Sequence, residues 1–161
     1  MLNLCHSRLF LSAVAGLAAA SPALAQVRVC AWNVTNYSTT STARNGSFQT
    51  ALYGVVPAGL ALAGQSMSPD VIIGQEFTSA AAVTNFRALL NSAPGSPGDW
   101  AAAPYLNGND SDSAFFYRTS KVQFINRWRI SIGGAAPEPP RDTLRYDFRP
   151  LGYTADSTVI S

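Results

Sequence analysis

A carboxylate closes a segment that is otherwise built for burial. In the stretch SPDVIIGQEF, the residues from Val71 to Phe77 are apolar or glycine except for Gln75 and Glu76. Such a run predicts a buried strand, and its last polar side chains should lie at the rim of a sheet. A carboxylate held rigidly there can bind Mg²⁺, a hard cation that takes oxygen ligands. A glutamate just before a helix can also act only as a favourable charge near the helix N-terminus.

Asn33 occupies a similar place earlier in the chain. The stretch VRVCAWNV, residues 27–34, alternates and is rich in β-forming residues, so it predicts a strand that leaves the core at Asn33. An asparagine after a strand is commonly a turn former, and this structural interpretation stands beside a functional one. Trp32 is predicted to pack in the core and not to contact a substrate.

Histidine chemistry is excluded from most of the chain. The single histidine is His6, and the two cysteines are Cys5 and Cys30. Residues 26–161 therefore hold no histidine metal site, no Ser-His-Asp triad and no Cys-His pair. Within that range Cys30 has no cysteine partner, and a lone cysteine in an apolar strand is usually a small buried hydrophobe.

The first 25 residues predict a secretory signal peptide. An apolar run, Leu9 to Ala20, follows one positive charge, and Ala23-Leu24-Ala25 is a small-x-small cleavage site, cut after Ala25. We therefore expect a secreted or periplasmic protein without a transmembrane segment, because the run is too short to span a bilayer. Residues 26–161 keep ten basic and nine acidic residues, a balance that gives no bulk attraction to nucleic acid or anionic lipid.

Strand and helix signals alternate along the chain and then give way to strands. The order predicts a mixed α/β sandwich layer. The first helix is expected to be capped by Ser47 and the second by Thr78 or Ser79. The strands 113–119 and 122–131 are expected to pair as a hairpin. The predicted elements are strand 27–34, a partial helix 45–64, strand 70–75, helix 78–93, a short strand 100–106, and strands 113–119, 122–131, 143–150 and 157–161.

Four short motifs in this order resemble the endonuclease/exonuclease/phosphatase superfamily, the DNase I-like metal-dependent phosphoesterases. Gly74 departs slightly from the pattern, because a larger apolar residue is commoner at that place. The resemblance implies a DNase I-like four-layer α/β/β/α sandwich, with two packed sheets at its centre and helices outside. The motifs are VRVCAWNV with Asn33, PDVIIGQEF with Gln75-Glu76, SAFFYR with Tyr117-Arg118, and FRPLGY with Arg149-Pro150.

The resemblance also implies roles for these residues. Glu76 would be a catalytic residue and the ligand of Mg²⁺ or another divalent cation, and Asn33 would be a second catalytic residue that helps orient the phosphate or the other catalytic residues. Arg149 and Arg118 would bind phosphate. The implied activity is Mg²⁺-dependent hydrolysis of a phosphodiester or phosphomonoester, and the partner is a phosphate-ester substrate such as nucleic acid, a phospholipid or a sugar phosphate.

The later motifs of that superfamily, which supply histidines and further acids, do not occur in this chain. Residues 26–161 are therefore expected to be the N-terminal portion, about half, of such a domain, inactive alone, with a C-terminal half encoded downstream as its partner. The alternative is a secreted non-catalytic binding module that uses the same partial fold. A third interpretation, an unrelated secreted β-rich adhesion domain, would make the four matches coincidental.

Overall fold

The computed structural model describes residues 26–55, 57–60, 63–108, 110–134 and 141–161. The predicted signal peptide lies outside these residues. Among the described helices, none is long and apolar enough to cross a membrane. The elements are β1 (Val29–Tyr37), a 3₁₀ turn (Ser41–Arg44), α1 (Asn45–Tyr53), β2 (Val71–Phe77), α2 (Ala80–Ser92), β3 (Trp100–Ala102), β4 (Asp112–Arg118), β5 (Val122–Ser131), β6 (Thr143–Pro150) and a second 3₁₀ turn (Asp156–Thr158).

The described strands form a four-stranded and a two-stranded sheet. The first sheet has the order β1-β2-β4-β3, and the second pairs β5 with β6. β1 and β2 are parallel, so their carboxyl ends meet at one edge of the sheet. β4 is antiparallel to β2, which brings the beginning of β4 to that same edge. The predicted mixed α/β class is confirmed.

Helices cover one face of the first sheet. Ser79 caps α2, since its hydroxyl accepts a hydrogen bond of 3.1 Å from the Ala82 N–H. The predicted helical stripe of α2 is buried: Phe86 and Leu90 are fully inaccessible. Phe86 packs edge-on against Phe48 of α1 with ring centroids 5.5 Å apart. Helices and sheet therefore share one aromatic core.

The second sheet covers the opposite face. Phe115 of β4 stacks on Tyr146 of β6 with centroids 4.9 Å apart, and it also lies 5.4 Å from Phe148. Tyr117 stacks on Phe124 of β5 at 5.8 Å, so it is a packing residue. The described chain thus has helices, the first sheet and the second sheet in successive layers, with an apolar core on each side of the central sheet.

Two strand predictions are wrong. β4 and β5 are not a hairpin, because the chain leaves the first sheet after Arg118 and β5 pairs instead with β6. The predicted strand 157–161 is not a regular strand, because it begins within the 3₁₀ turn Asp156–Thr158 and then makes one β-bridge, between Ile160 and Phe148. The short turn between β4 and β5 suits a hairpin locally, but their apolar faces pack against each other across the two layers.

The first helix is shorter than predicted. α1 ends at Tyr53, and Gly54 is already extended with φ −63° and ψ 143°. Ser47 is not its cap, because the helix begins at Asn45 after Arg44, which makes no side-chain capping bond. The chain therefore leaves α1 well before the predicted end at Gly64.

Adding a methyl group at Gly74 is expected to destabilise the protein. A Cβ atom there would lie 2.5 Å from Cε2 of Phe77, a ring that is fully buried. We expect the Gly74→Ala variant to lose about 2 kcal/mol of unfolding free energy through overpacking. Gly46→Ala is the matched control, since its Cβ meets nothing within 4 Å and α1 gains a better helix former. Urea unfolding of both variants tests this, and equal stabilities would contradict it.

Candidate functional site

The ends of β1 and β2 are irregular at the same place. The two strands pair regularly up to Asn33 and Gln75, and pairing resumes only at Tyr37 and Phe77. Glu76 lies within this interruption with φ 67°, a left-handed conformation that residues with a Cβ rarely adopt. Strain of this kind persists where the surroundings impose it, and it is concentrated at functional sites.

Hydrogen bonds from β1 hold the Glu76 carboxylate in place. The Asn33 side-chain amide donates to Oε1 at 2.9 Å, and the Asn36 backbone N–H donates to Oε2 at 3.2 Å. Asn33 is itself oriented, because its Oδ1 accepts a 2.8 Å bond from the Thr35 N–H. Thr35 and Asn36 also have positive φ angles, 51° and 50°. The structure therefore brings the two predicted residues Asn33 and Glu76 into direct contact.

Arg141 is the third side chain of this site. Its Nη1 donates to Glu76 Oε1 at 3.2 Å, and its Nε lies 3.1 Å from Oδ2 of Asp110. Arg141 precedes β6 of the second sheet, whereas Glu76 lies near the end of β2 in the first sheet. The guanidinium thus joins the two layers at this edge while 41% of its side chain stays exposed.

A polar cleft of about 230 Å³ opens beside Glu76. Asp112 lies across it, and only 6% of its surface is exposed. Its Oδ2 accepts bonds from the Tyr105 hydroxyl at 2.8 Å and the Gly108 N–H at 2.9 Å. Ser111 is equally buried, and its hydroxyl has no partner among the described residues. The lining residues are Gln75, Glu76, Ser111, Asp112, Ser113, Arg141 and Asp142.

The hydrogen bonds favour the ionised form of Glu76. Donation from the Asn33 amide, followed by donation from Arg141, holds the pKa of the Glu76 carboxyl below its ordinary value of 4.5. The hydrogen bonds that Arg141 donates to Glu76 and Asp110 raise the pKa of Arg141 in turn. Three carboxylates face this cleft, those of Glu76, Asp112 and Asp142. Two guanidinium groups supply the local positive charge: that of Arg141 beside Glu76, and that of Arg129, whose Nε lies 2.9 Å from Asp142 Oδ2.

Acidification is expected to reveal the Glu76 hydrogen bonds. Because the folded-state pKa lies below the unfolded one, the carboxylate stabilises the fold above the ordinary glutamate pKa, and this contribution is lost as the pH falls through the folded-state value. The unfolding free energy of the wild-type chain should exceed that of Glu76→Gln from about pH 7 to about pH 5, and the gap should close as the pH falls through the folded-state pKa of Glu76. Urea unfolding at these pH values measures the gap. Asp147, whose pKa is lowered by Arg145, titrates in both proteins and cancels. A gap independent of pH would contradict this assignment.

The two predicted phosphate-binding residues, Arg118 and Arg149, lie away from this cleft. Arg118 is at the opposite end of the first sheet, where it pairs with Asp99 at 2.9 Å and with Asp70 at 3.3 Å. Asp70 precedes β2 and Glu76 is near its end, so about 20 Å separates the two positions along the strand. Arg149 pairs with Asp156 at 2.9 Å, near the end of β6 that is far from Arg141. Neither arginine reaches the cleft.

Sequence reasoning missed Arg141 and Asp112. Both stand immediately beside a strand end: Asp112 opens β4, and Arg141 comes just before β6. These positions become informative only when β4 is known to run antiparallel to β2, because the beginning of β4 then lies beside the end of β2. The Arg-Pro pair at Arg149 lies at the other end of the same strand, away from the cleft.

The side chains of the cleft offer oxygen atoms, which are the ligands that a hard cation takes. Among the described residues, no group of three or more histidine, cysteine, aspartate and glutamate side chains is placed to hold a metal ion. Mg²⁺ needs no such protein cage, since it is usually held by one or two carboxylates together with waters and substrate phosphate. Glu76 offers a carboxylate, and Ser111 offers a hydroxyl oxygen that has no described partner. This all-oxygen donor set fits Mg²⁺.

Comparison with known proteins adds no assignment. No family model matches the chain, and no curated protein matches it. The fold and site define a mixed α/β protein. Its larger sheet carries a strained, hydrogen-bonded carboxylate where the parallel strands β1 and β2 end.

Proposed function

We propose that this chain carries the metal- and phosphate-binding part of a secreted, Mg²⁺-dependent phosphoesterase of DNase I-like architecture. The observation that carries the proposal is the Glu76 carboxylate, which is held at a sheet edge by Asn33 and Asn36 in a conformation unfavourable for glutamate. Asn33 and Glu76 are the two residues for which the motif resemblance implies catalytic roles. The layered arrangement of helices and two sheets is compatible with one part of a four-layer sandwich.

In this proposal Glu76 is the protein ligand of Mg²⁺. When bound, the ion neutralises charge on a phosphate ester and stabilises the leaving oxygen. Asn33 fixes the carboxylate, and Asp112 keeps the opposite wall of the cleft anionic. A phosphate that approaches Glu76 meets Arg141, whose guanidinium can hold two phosphate oxygens as a fork. Arg141 takes the phosphate-binding role here, since Arg118 and Arg149 lie far from the cleft.

Phosphate binding tests this function. We expect Mg²⁺ to strengthen the binding of orthophosphate by at least about tenfold, because the metal adds a charge-assisted contact to that of Arg141. Titration followed by ³¹P NMR, with Mg²⁺ or with EDTA, measures the gain. The Glu76→Gln variant should lose the gain, and Asp156→Asn, an acid outside the cleft, should keep it. Orthophosphate binding that Mg²⁺ does not affect would overturn the proposal.

Hydrolysis is a separate question, because residues 26–161 contain no histidine to serve as general base or acid. We expect this chain to bind Mg²⁺ and phosphate without turning over an ester. Mg²⁺-dependent cleavage of DNA or of a simple phosphate ester by the purified chain would contradict that expectation.

The second candidate is a non-catalytic binding module. It is favoured by one observation: protein groups alone already satisfy Glu76, including an ion pair with Arg141. In a binding module this network would be purely structural, and it would not respond to divalent cations. The two candidates therefore predict opposite results in the same Mg²⁺ experiment.

A further inference from the structure

A second cleft lies on the other side of Asn33. It has a volume of about 440 Å³ and opens between β1 and α1. We call it the β1–α1 cleft and define it by Trp32, Asn33, Thr35, Arg44, Ser47 and Phe48. Asn33 lines this second cleft, and its side-chain amide donates to Glu76, which lines the first cleft.

Arg44 gives this cleft a fixed positive charge. Its Nη1 donates to the Val34 carbonyl at 2.8 Å, and its Nη2 donates to Ser41 Oγ at 3.1 Å. The guanidinium carbon lies 5.5 Å from the centroid of the Phe48 ring and 5.8 Å from that of Tyr37, so aromatic faces support it. Within the described part of the chain, Arg44 makes no ion pair with a carboxylate. Arginine has five N–H donors, and those that remain are available to an anion.

The rest of the cleft is an aromatic wall with hydroxyl groups at its border. Trp32 meets Phe48 edge to face with centroids 5.1 Å apart, and its indole is only partly buried. Ser47, which does not cap α1, contributes a side chain to the lining. An indole beside an uncompensated guanidinium suits a planar aromatic ring that bears an anionic group.

We propose that the β1–α1 cleft binds an aryl phosphate, with the aromatic ring against Trp32 and the phosphate on Arg44. The inference rests on the proposed function in one respect. If a substrate ester is held at Glu76, the aryl phosphate bound by Trp32 and Arg44 would be the neighbouring part of that substrate. The recognition itself requires no metal ion, because Arg44 and Trp32 supply it. Its failure can therefore be distinguished from a failure of the Glu76 site.

The test uses phenyl phosphate as the probe in the presence of EDTA. Isothermal titration should show binding at least about tenfold tighter than that of orthophosphate, since the ring adds stacking to the charged contact. In ¹H–¹⁵N spectra, the indole N–H of Trp32 should shift during the titration. Arg44→Gln and Trp32→Phe should each weaken binding, Arg44→Gln by about tenfold.

Matched variants keep the result decisive. Arg28→Gln removes another arginine whose side chain makes no ion pair in the described structure and should leave binding unchanged. Trp128→Leu removes an exposed tryptophan of the second sheet and should also have no effect. Absence of binding to the folded wild-type chain, or equal binding by wild type and Arg44→Gln, would overturn the inference whatever the Mg²⁺ experiments give.

Discussion

Replacing Phe86 by alanine is expected to remove about 3 to 5 kcal/mol of unfolding free energy, a large share of the 5 to 15 kcal/mol that is typical of a folded domain. The ring is fully buried at the centre of the helix–sheet core. It lies 5.1 Å from Tyr37, 5.3 Å from Phe77 and 5.2 Å from Phe116, measured between ring centroids. Truncation leaves a cavity that these rings cannot fill.

The same core anchors the site. Tyr37 and Phe77 are the paired residues at which β1 and β2 resume their register, directly after the irregular segment that contains Glu76. Both rings are fully buried and contact Phe86. A loosened core should therefore release the strained Glu76 backbone as well, and Phe86→Ala should weaken any ligand binding at Glu76.

Urea unfolding of Phe86→Ala measures the effect. Phe86→Leu serves as the conservative comparison and should cost less, because it leaves a smaller cavity. Ile125→Ala serves as the surface control: this side chain is 41% exposed, so its truncation should change stability by less than about 1 kcal/mol. If Phe86→Ala were no less stable than Ile125→Ala, the described core would be wrong.

Replacing Glu76 by glutamine is expected to lower the affinity for Mg²⁺ by at least about 100-fold, since even groups outside the ligand shell contribute about 10- to 100-fold. Glutamine keeps the shape of the side chain and an oxygen for the Asn33 amide, but its NH₂ group would face the Asn36 N–H. Thermal unfolding must accompany the titration, so that a loss of affinity is compared between folded proteins.

Arg141→Gln is the matched variant, and it is expected to change the Mg²⁺ affinity in the opposite direction. The guanidinium neutralises the carboxylate that the metal needs, at 3.2 Å from Glu76 Oε1. Its removal should raise Mg²⁺ affinity by about tenfold, because the pair is partly solvated and its attraction is screened. The same variant should bind orthophosphate more weakly. Isothermal titration measures both affinities, and parallel losses of Mg²⁺ and phosphate binding in Arg141→Gln would contradict competition between Arg141 and the metal.

The parts of the fold that are specified locally were predictable. The Ser79 cap and the apolar stripe of α2 lie within one helix, and β2 begins with a continuous run of apolar residues and glycine, Val71 to Gly74. The pairing of β5 with β6 was not predictable from the turn after Arg118, because layer packing overrides the local preference for a hairpin. The end of α1 was also missed, although Gly54 directly after Tyr53 and Pro57 three residues later are residues that commonly mark a helix end.

In the site, too, the locally specified residues were predictable and the residues brought in by long-range packing were not. Asn33 and Glu76 stand out because each polar side chain closes an apolar strand, and the structure joins them. Arg141 is 65 residues from Glu76 in sequence, and their contact depends on how the two sheets pack. The left-handed backbone of Glu76 could not be predicted from the sequence, since glycine or asparagine is the usual residue in that conformation. Long-range packing is the part that single-sequence reasoning did not supply.

Paramagnetic relaxation in ¹H–¹⁵N spectra, with Mn²⁺ added in small amounts in place of Mg²⁺, tests most directly whether Glu76 holds a divalent cation. The account predicts that the amide signals of Asn36, Glu76 and Ser111 broaden first in the wild-type chain, and that this selective broadening disappears in Glu76→Gln. Broadening that begins at exposed acids such as Asp156, or that is the same in wild type and Glu76→Gln, would contradict the account.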